Sequence, residues 1–510
     1  GLTAWGFIWA IYGFAIRPLP GGVFWDDLFW QLQYLERTHA VYLNGEISES
    51  GWWYYFPIAF IYKVPLPTLG LMLFALGHSL IQRRWLNAFQ QTDWLFFLIP
   101  ALVYLGFAQL IANNIGYRYL INAFPFLMLL VGAGLADDKS SSQPQSRPLM
   151  AGLAAVLATA VLCTTIWPNY ISHFNWLAGG QQGGWRILSD SNVDWGQDLV
   201  ALREWQIETG QPIKLSYFGT AYPSGYGLNF EPMPMWSAGA EQQRPDRQTY
   251  YPSNPAPGTY AISVTNLHGA VLEDQARTYA YFREKEPIYR AGNSIFVYQV
   301  DPTNEPVYVS FSGVVPADMP SELHNHFETN DVQIRWFDLE TSFIWPVADQ
   351  PGDRFFVTDR PMPENSRFDY QLINQLDGVY LYTAALKADS PLFSISEGAE
   401  MGVATFGGIR LNSGCENALD LSTEWRVSEP TTRQLKIFVH ALNEAGDIIG
   451  QSDILTVDSN AWQTGDWLTQ QHQIFVDGAV ATFRVGLYNA GSGERMGEPV
   501  IVTNLCQSQN

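Results

Sequence analysis

The sequence predicts an α-helical multi-span membrane domain, then soluble α/β structure, and finally an all-β sandwich. Three observations carry this prediction. Up to about residue 167 the chain consists mainly of long apolar runs with few charges, whereas from residue 169 it is polar, acidic and rich in glycine and proline. From residue 378, short alternating runs recur between turn residues, as in a sandwich. The predicted parts are the membrane domain 1–168, an extracytoplasmic α/β domain 169–300, a small α/β or linker region 301–377 and the sandwich 378–510.

Five apolar runs predict the membrane-spanning helices, because a helix needs about 20 apolar residues to cross the hydrocarbon of a bilayer. Arg83 and Arg84 lie in a short connection, and basic connections favour the cytoplasmic side. The sequence therefore predicts a multi-pass protein of the bacterial cytoplasmic membrane with its C-terminal region extracytoplasmic. The five runs are Gly1–Ile16, Phe56–Gln82, Trp94–Ala112, Tyr119–Ala136 and Met150–Trp167.

Charge and cysteine content limit the possible partners. The 28 basic residues face 49 acidic residues, giving a net charge of -21, which argues against nucleic acid as a partner. Cys163 lies inside an apolar run, while Cys415 and Cys506 bracket the last part of the chain. In an oxidising compartment Cys415 and Cys506 could form a disulfide, and two free thiols are the alternative.

The four consecutive aromatic residues Trp52, Trp53, Tyr54 and Tyr55 precede the second apolar run. Indole and phenol rings favour a membrane interface, so this cluster predicts either a simple anchor for the helix or a lipid-facing site. Upstream, residues 24–32 have the spacing of an interfacial helix. Its Asp26-Asp27 pair is more typical of a helix N-terminal turn than of a metal site.

At the start of the α/β domain the pattern predicts strand Ile187–Leu188, a polar loop and helix Gln197–Trp205. The loop carries Asp190, Asn192 and Asp194, which either contact a ligand at the strand ends or cap the helix and close the turn. Further strands are predicted at Ile213–Phe218, Tyr260–Val264 and Ser294–Val300.

Later strands are predicted at Val332–Phe337 and Arg354–Thr358. In the sandwich, Trp462, Trp467 and Tyr488 could stack on sugar rings, although aromatic residues of sandwiches more often form the core. The predicted sandwich strands are Val379–Tyr382, Met401–Leu411, Ala418–Val427, Leu435–Leu442, Ile448–Val457, His472–Val476 and Thr482–Tyr488.

Three stretches in order carry a family resemblance. The first is Tyr42–Ser48 with Gly51–Pro57 and Lys63–Pro67, the second is Asn114–Leu120, and the third is Ser189–Asp198. Together they resemble bacterial membrane glycosyltransferases of the protein O-mannosyltransferase type, in glycosyltransferase family 39 of the GT-C superfamily. The resemblance covers roughly residues 20 to 300.

The resemblance implies transfer of a sugar from a polyprenyl-phosphate-linked donor to a protein, glycan or lipid acceptor on the extracytoplasmic face. Arg118 and Lys63 are the cations expected to bind the donor phosphate, because charges in a membrane are costly and guanidinium suits phosphate oxygens. For both residues, ordinary snorkelling at a helix end is the alternative. No resident cofactor and no metal ligand is assigned, and a divalent metal requirement stays open.

In the family the acidic residue that serves as base lies in the first outer loop. This chain begins with Gly1 inside an apolar run, so the expectation is a C-terminal part whose catalytic base lies upstream. Glu46 is a substitute candidate, whereas Asp26-Asp27 comes too late to match the family motif. The alternative function is a non-catalytic, membrane-anchored glycan-binding or assembly subunit. A transporter is disfavoured, because the runs contain few polar residues apart from Lys63 and Gln109.

Overall fold

In a computed structural model, the chain divides into two compact units. Unit 1 comprises residues 1–242 and 258–299, and unit 2 comprises residues 243–257 and 300–510. The structure describes residues 2–11, 13–14, 22–35, 40–81, 95–110, 114, 116–135, 146–236, 248–272, 277–347, 354–363, 368–386, 398–414 and 417–503. The predicted cytoplasmic residues Arg83 and Arg84, and both cysteines of the predicted disulfide, Cys415 and Cys506, lie outside these ranges.

The apolar runs of unit 1 form helices near the predicted positions, but one run is broken. Between Lys63 and Leu66 the chain bends by 110°. Val64 is extended because the ring of Pro65 disfavours helical backbone in the preceding residue, and Pro65 itself has no N–H to continue the ladder. The helices are Leu2–Ile11, Gly22–Leu35, Tyr55–Lys63, Leu66–Ile81, Leu95–Leu110, Phe124–Leu135 and Ser146–Thr165, with a 3-10 segment Tyr117–Ala123.

The expectation of a multi-span helical membrane domain is wrong. Among the described residues, one continuous stretch, Tyr117–Leu135, is long and apolar enough to cross a membrane, with a mean hydropathy of 1.5. A second stretch is long and apolar enough only if two helices joined by the 110° bend are counted as one; these are Tyr55–Lys63 and Leu66–Ile81. Leu95–Gln109 and Met150–Thr165 are too short. The predicted multi-pass location in the bacterial cytoplasmic membrane is corrected by the same finding.

Unit 1 also contains a five-stranded sheet that supports the polar loop at residues 189–198. The predicted strand at Ile187–Leu188 is replaced by 3-10 turns and a single bridge from Leu188 to Leu43. Helix Leu199–Thr209 packs Leu199, Leu202 and Trp205 into the core of the sheet. The strands, in spatial order, are Phe230–Pro232, Ile213–Ser216, Gly258–Ser263, Ile295–Val300 and Tyr289–Ala291.

The shorter elements of unit 1 complete the surroundings of that loop. Val41–Leu43 and Glu46–Ser48 form a hairpin, whose Asn44 and Gly45 both have positive φ, as a tight two-residue turn requires. Two short helices, Val264–His268 and Ala280–Arg283, follow the sheet strands. The 3-10 turns are Trp176–Ala178, Gly180–Gln182, Gly184–Arg186, Asp190–Asn192 and Pro223–Tyr226.

The described residues of unit 2 form three sheets. The first has the order Phe368–Leu376, Val379–Leu386, Arg354–Thr358, Val307–Ser312 and Val332–Trp336. The other two form the expected β-sandwich over one hydrophobic core. One sandwich sheet has the order Ser342–Trp345, Trp467–Phe475, Ala418–Val427, Ala404–Ser413 and Ala399–Met401. Its partner has the order Ile448–Ile454, Leu435–Leu442, Thr482–Asn489 and Val500–Thr503.

The sandwich core explains most of the aromatic residues that the sequence singled out. In strand Ala418–Val427 buried residues alternate with half-buried ones, so Leu421, Thr423 and Trp425 point inward while Ser422 and Glu424 lie on the other face. Trp462 is buried in the core, as the commoner interpretation of sandwich aromatics expects. Strand Ser342–Trp345 joins this sheet although it lies in region 301–377, because it pairs with Trp467–Phe475.

Candidate functional site

Asn192 is the centre of a buried polar junction in unit 1. Its side chain is 1% exposed and makes three hydrogen bonds. The amide oxygen accepts from the backbone N–H of Tyr117 at 2.8 Å, and the amide nitrogen donates to the Tyr55 hydroxyl at 2.8 Å and to the Ser189 carbonyl at 3.0 Å. One asparagine therefore joins all three stretches that carry the family resemblance.

Local backbone geometry holds this loop in place. Asp190 has a φ of 59°, its carboxylate accepts from the backbone N–H of Ser191, and its own N–H donates to the Thr265 hydroxyl at 3.2 Å. A Cβ atom at Gly116 would lie 2.5 Å from the Ser191 hydroxyl oxygen. A larger residue at position 116 would therefore require the Ser191 hydroxyl to move, which shows how closely the two stretches meet. Asp190 and Asn192 thus help to form the turn, but neither caps the following helix Leu199–Thr209, whose N-cap residue is Asp198. A ligand role for them stays a prediction.

Lys63 bonds to the same loop through its ammonium group. Nζ donates to the Asn192 carbonyl at 2.6 Å and to the Ile171 carbonyl at 2.8 Å, and it lies 4.4 Å from the centre of the Phe174 ring. Burial lowers the pKa of Lys63 to about 7, although the two carbonyls and the ring face favour its charged form. Two of the three N–H donors of Lys63 therefore bond to backbone carbonyls, so one donor remains for a phosphate oxygen.

Arg118 lies beside the same junction but points to the surface. It follows Tyr117, whose N–H binds Asn192, and its guanidinium lies 5.6 Å from the centre of the Tyr119 ring. The side chain is exposed and, among the described residues, makes no hydrogen bond or ion pair. Arg118 is therefore available to an anion, whereas Lys63 is bonded to the loop, and their shared binding of one phosphate stays a prediction.

The aromatic cluster is divided by the fold. Trp53 is 76% exposed and Tyr54 is also exposed, so both can contact a lipid or another ligand. The backbone N–H of Trp52 donates to the Asn114 side chain at 2.8 Å, and the Trp52 ring is half-buried. Tyr55 is buried with its hydroxyl on Asn192, which corrects the expectation of four lipid-facing rings.

An apolar groove of about 900 Å³ lies between the helices of unit 1. It is lined by residues of helices Tyr55–Lys63, Leu66–Ile81, Leu95–Leu110 and Phe124–Leu135, and by Leu120 of the 3-10 segment Tyr117–Ala123. Among the described residues that line it, Ser79 and Gln109 are the polar ones. The groove therefore suits a long apolar chain, and the exposed Arg118 lies two residues from its lining.

Asp194, the third loop residue, has a different environment from Asp190 and Asn192. It is completely buried, and its Oδ1 accepts from the backbone N–H of Gly196 at 3.0 Å. Burial raises the pKa of Asp194 to about 7; the charge of Asp198 raises it further, while the hydrogen bond from the Gly196 N–H lowers it. Near neutral pH this carboxyl is therefore poised between its two protonation states.

Asp198 is a structural residue that the sequence prediction did not single out. Its Oδ2 accepts from the backbone N–H of Asn293 at 2.8 Å and from the N–H and hydroxyl of Ser294 at 2.9 and 2.8 Å. Gly292 has a φ of 60°, and a Cβ there would overlap the Asp198 carboxylate. The signal available in the sequence was the Gly292-Asn293-Ser294 turn, but its partner lies 95 residues away.

The acidic residues proposed from sequence for catalysis or metal binding are not gathered at this junction. Glu46 is exposed in the hairpin, and Asp26 and Asp27 are exposed on helix Gly22–Leu35. Within the described ranges no group of three or more His, Cys, Asp or Glu side chains is placed to hold a metal ion. The junction thus offers a cation and an apolar groove without a described carboxylate lining that groove.

Comparisons with known proteins do not identify a family. No family model matches the chain, and no curated protein matches it. Among solved structures, a β-glucuronidase from glycoside hydrolase family 2 is similar to part of the chain, with 11% identity and a TM-score of 0.16. That match covers 24% of this chain and 13% of the glucuronidase chain.

Proposed function

We propose that this chain binds a polyprenyl-phosphate-linked sugar and takes part in transferring that sugar to an acceptor. The observation that carries the proposal is the apolar groove, whose lining residue Leu120 lies two residues along the chain from the exposed Arg118. A polyprenyl phosphate has a long apolar tail and a compact anionic head. The groove matches the tail, because burying apolar surface is favourable, and the guanidinium matches the head, because it donates paired hydrogen bonds to phosphate oxygens.

Arg118 has the main role in donor binding, and Lys63 has a supporting one. The Lys63 ammonium is bonded to two backbone carbonyls, so it holds the 171–192 segment beside the helices. Arg118, exposed and without a hydrogen bond or ion pair among the described residues, can turn toward a phosphate. The exposed rings of Trp53 and Tyr54 provide further contact surface for the amphiphile.

In the transfer, the bond between the sugar anomeric carbon and the phosphate oxygen breaks, and an acceptor oxygen bonds to that carbon. The electron pair of the broken bond stays on the polyprenyl phosphate, where Arg118 stabilises the negative charge. The acceptor hydroxyl loses its proton to a base, a role that we assign to no described residue. Glu46, the substitute candidate from the sequence, is exposed and does not line the groove.

The second candidate function is a non-catalytic subunit that binds a glycan or helps assemble a larger enzyme. It is favoured by one observation: no carboxylate of the described chain lines the groove beside Arg118. The two candidates differ in turnover. A transferase releases free polyprenyl phosphate when supplied with the sugar-loaded donor and an acceptor, whereas a binding subunit leaves the donor intact.

Donor binding is tested with the full chain in detergent micelles, using polyprenyl phosphate and uncharged polyprenol as paired probes. Losing a charge-assisted hydrogen bond costs about 1.5–3 kcal/mol, so Arg118→Ala should weaken polyprenyl phosphate binding by about 10- to 100-fold and leave polyprenol binding unchanged. Arg426→Ala is the matched control, because Arg426 is an exposed arginine of the sandwich.

The groove is tested separately with Gly106→Leu. A Cβ at Gly106 meets nothing within 4 Å, and Gly106 lines the groove, so we expect a leucine there to occupy part of the groove. It should weaken both probes. Gly70→Leu is the control, because a Cβ at Gly70 is equally unobstructed and Gly70 does not line the groove. Equal binding of polyprenyl phosphate by wild type, Arg118→Ala and Gly106→Leu would overturn the proposal.

A further inference from the structure

Unit 2 contains a cleft of about 450 Å³ on one face of the β-sandwich. The cleft lies over the sheet that contains strands Ser342–Trp345, Trp467–Phe475, Ala418–Val427 and Ala404–Ser413, on the face turned away from the sandwich core. Its volume falls within the range of about 300–1,000 Å³ that is usual for small-molecule sites. It is formed within unit 2 alone.

The floor of the cleft is aromatic. Phe343 and Tyr370 are half-buried, so part of each ring faces the cleft, while Phe368 and Trp467 are buried beneath them. The ring centres of Phe343 and Phe368 are 4.7 Å apart, and Phe343 lies 6.4 Å from both Tyr370 and Trp467. These contacts fix the rings in place, so the floor is formed before any ligand binds.

The walls of the cleft are polar because of the strand register. Glu424 lies opposite Thr469, and Ser422 lies opposite both Gln471 and Arg410 on its two neighbouring strands. Side chains at paired positions share one face of a sheet. The Arg410 guanidinium is 3.8 Å from the Glu424 carboxylate, so the two charges offset each other. The described wall residues therefore present guanidinium, amide, hydroxyl and carboxylate groups whose formal charges cancel.

We propose that this cleft binds a neutral carbohydrate. The C–H face of a sugar ring is apolar and packs on an aromatic ring, while its hydroxyls both donate and accept hydrogen bonds. Tyr370 and Phe343 form the platform, and Gln471, Glu424 and Arg410 contact the hydroxyls. A phosphate or nucleic acid is disfavoured because, among the described lining residues, Arg410 is the one arginine and Glu424 offsets its charge. A purely apolar ligand would leave the polar walls without hydrogen bonds.

Carbohydrate binding in this cleft does not depend on sugar transfer in unit 1, since it requires no chemical step. It also differs from the sequence-based expectation for the sandwich. Trp462 is in the core, and Tyr488 lies on the other sandwich sheet. Trp467 contributes to the floor from beneath Phe343. The proposed platform, Tyr370, comes from strand Phe368–Leu376, which belongs to a different sheet of unit 2.

The test uses the full chain and a panel of neutral oligosaccharides built from glucose, mannose, galactose or N-acetylglucosamine, with uronic-acid and sulfated oligosaccharides as acidic counterparts. Binding is measured by isothermal titration calorimetry. At least one neutral glycan should bind, with little dependence on salt. Gln471→Ala should weaken that binding about threefold to tenfold through lost hydrogen bonds, without affecting folding, because the side chain is exposed.

Two controls lie on the same strand as Gln471. Gln473 is an exposed glutamine two residues further along the same face and outside the cleft, so Gln473→Ala should leave affinity unchanged. Tyr370→Ala should weaken binding about tenfold, and Phe475→Ala, which removes a 70% exposed ring outside the cleft, should not. Binding restricted to acidic glycans, no binding by any probe, or equal affinity of wild type and Gln471→Ala would each overturn the inference.

Discussion

Replacing Asn192 with alanine should destabilise unit 1 far more than the small size of the asparagine side chain suggests. The substitution removes the three hydrogen bonds of the side chain at 2.8, 2.8 and 3.0 Å and leaves buried groups of Tyr117, Tyr55 and Ser189 without that partner. Each buried polar group without a hydrogen-bond partner costs about 1–3 kcal/mol, and water can replace part of the lost bonding for some of these groups. We therefore expect a loss of about 2–4 kcal/mol in the free energy of unfolding.

The measurement is urea denaturation of the full chain, followed by tryptophan fluorescence. Asn229→Ala is the control, because Asn229 is an exposed asparagine of the same unit and its replacement should cost less than about 0.5 kcal/mol. Tyr55→Phe removes one of the three bonds, so it should cost about 1 kcal/mol on its own and add less when Asn192 is already alanine. If Asn192→Ala and Asn229→Ala unfold at the same urea concentration, the three hydrogen bonds of Asn192 do not stabilise unit 1.

Two further predictions concern Asp194 and its neighbour Gly196. Because burial raises the pKa of Asp194 to about 7, the folded state binds more protons than the unfolded chain between about pH 4 and pH 7. The contribution of Asp194 to the free energy of unfolding is therefore present below about pH 4 and is lost as the pH rises to 7. The loss is up to about 1.4 kcal/mol per pH unit. Thermal melts of wild type and Asp194→Asn at several pH values should differ by this slope. Parallel pH curves for the two proteins would refute it. Gly196→Ala should destabilise the chain by more than about 2 kcal/mol, since Gly196 has a φ of 81° and a Cβ there would overlap the Tyr217 hydroxyl; a circular-dichroism melt like that of wild type would contradict this.

Periodicity in the sequence was enough to locate most elements. Strands such as Ala418–Val427 and Leu435–Leu442 have the predicted ends, because each alternates residues that face the core with residues that do not. The apolar runs likewise mark where helices form. Hydrophobicity did not determine how far each helix continues, and Pro65 divides the predicted Phe56–Gln82 helix into two helices at 110°.

The roles of the polar residues depended on contacts between distant segments. Lys63 lies inside one apolar run and Arg118 immediately before another, yet Lys63 is bonded to two carbonyls and Arg118 is exposed. Asp190 and Asp194 are four residues apart, yet one closes a turn near the surface and the other is buried with a raised pKa. No local pattern separates these pairs, because the deciding partners lie elsewhere in the chain.

The sequence by itself determined the order of the elements, the change from apolar helices to sheets, and the candidate stretches around Lys63, Arg118 and Asn192. These features follow from periodicity, composition and the resemblance, which depend only on the order of residues in the chain. Only the tertiary structure decided that Asn192 joins the three stretches and that Tyr370 lines a cleft on another sheet. The physical reason is that burial and hydrogen bonding depend on which segments meet in space, and these segments are separated by up to 137 residues.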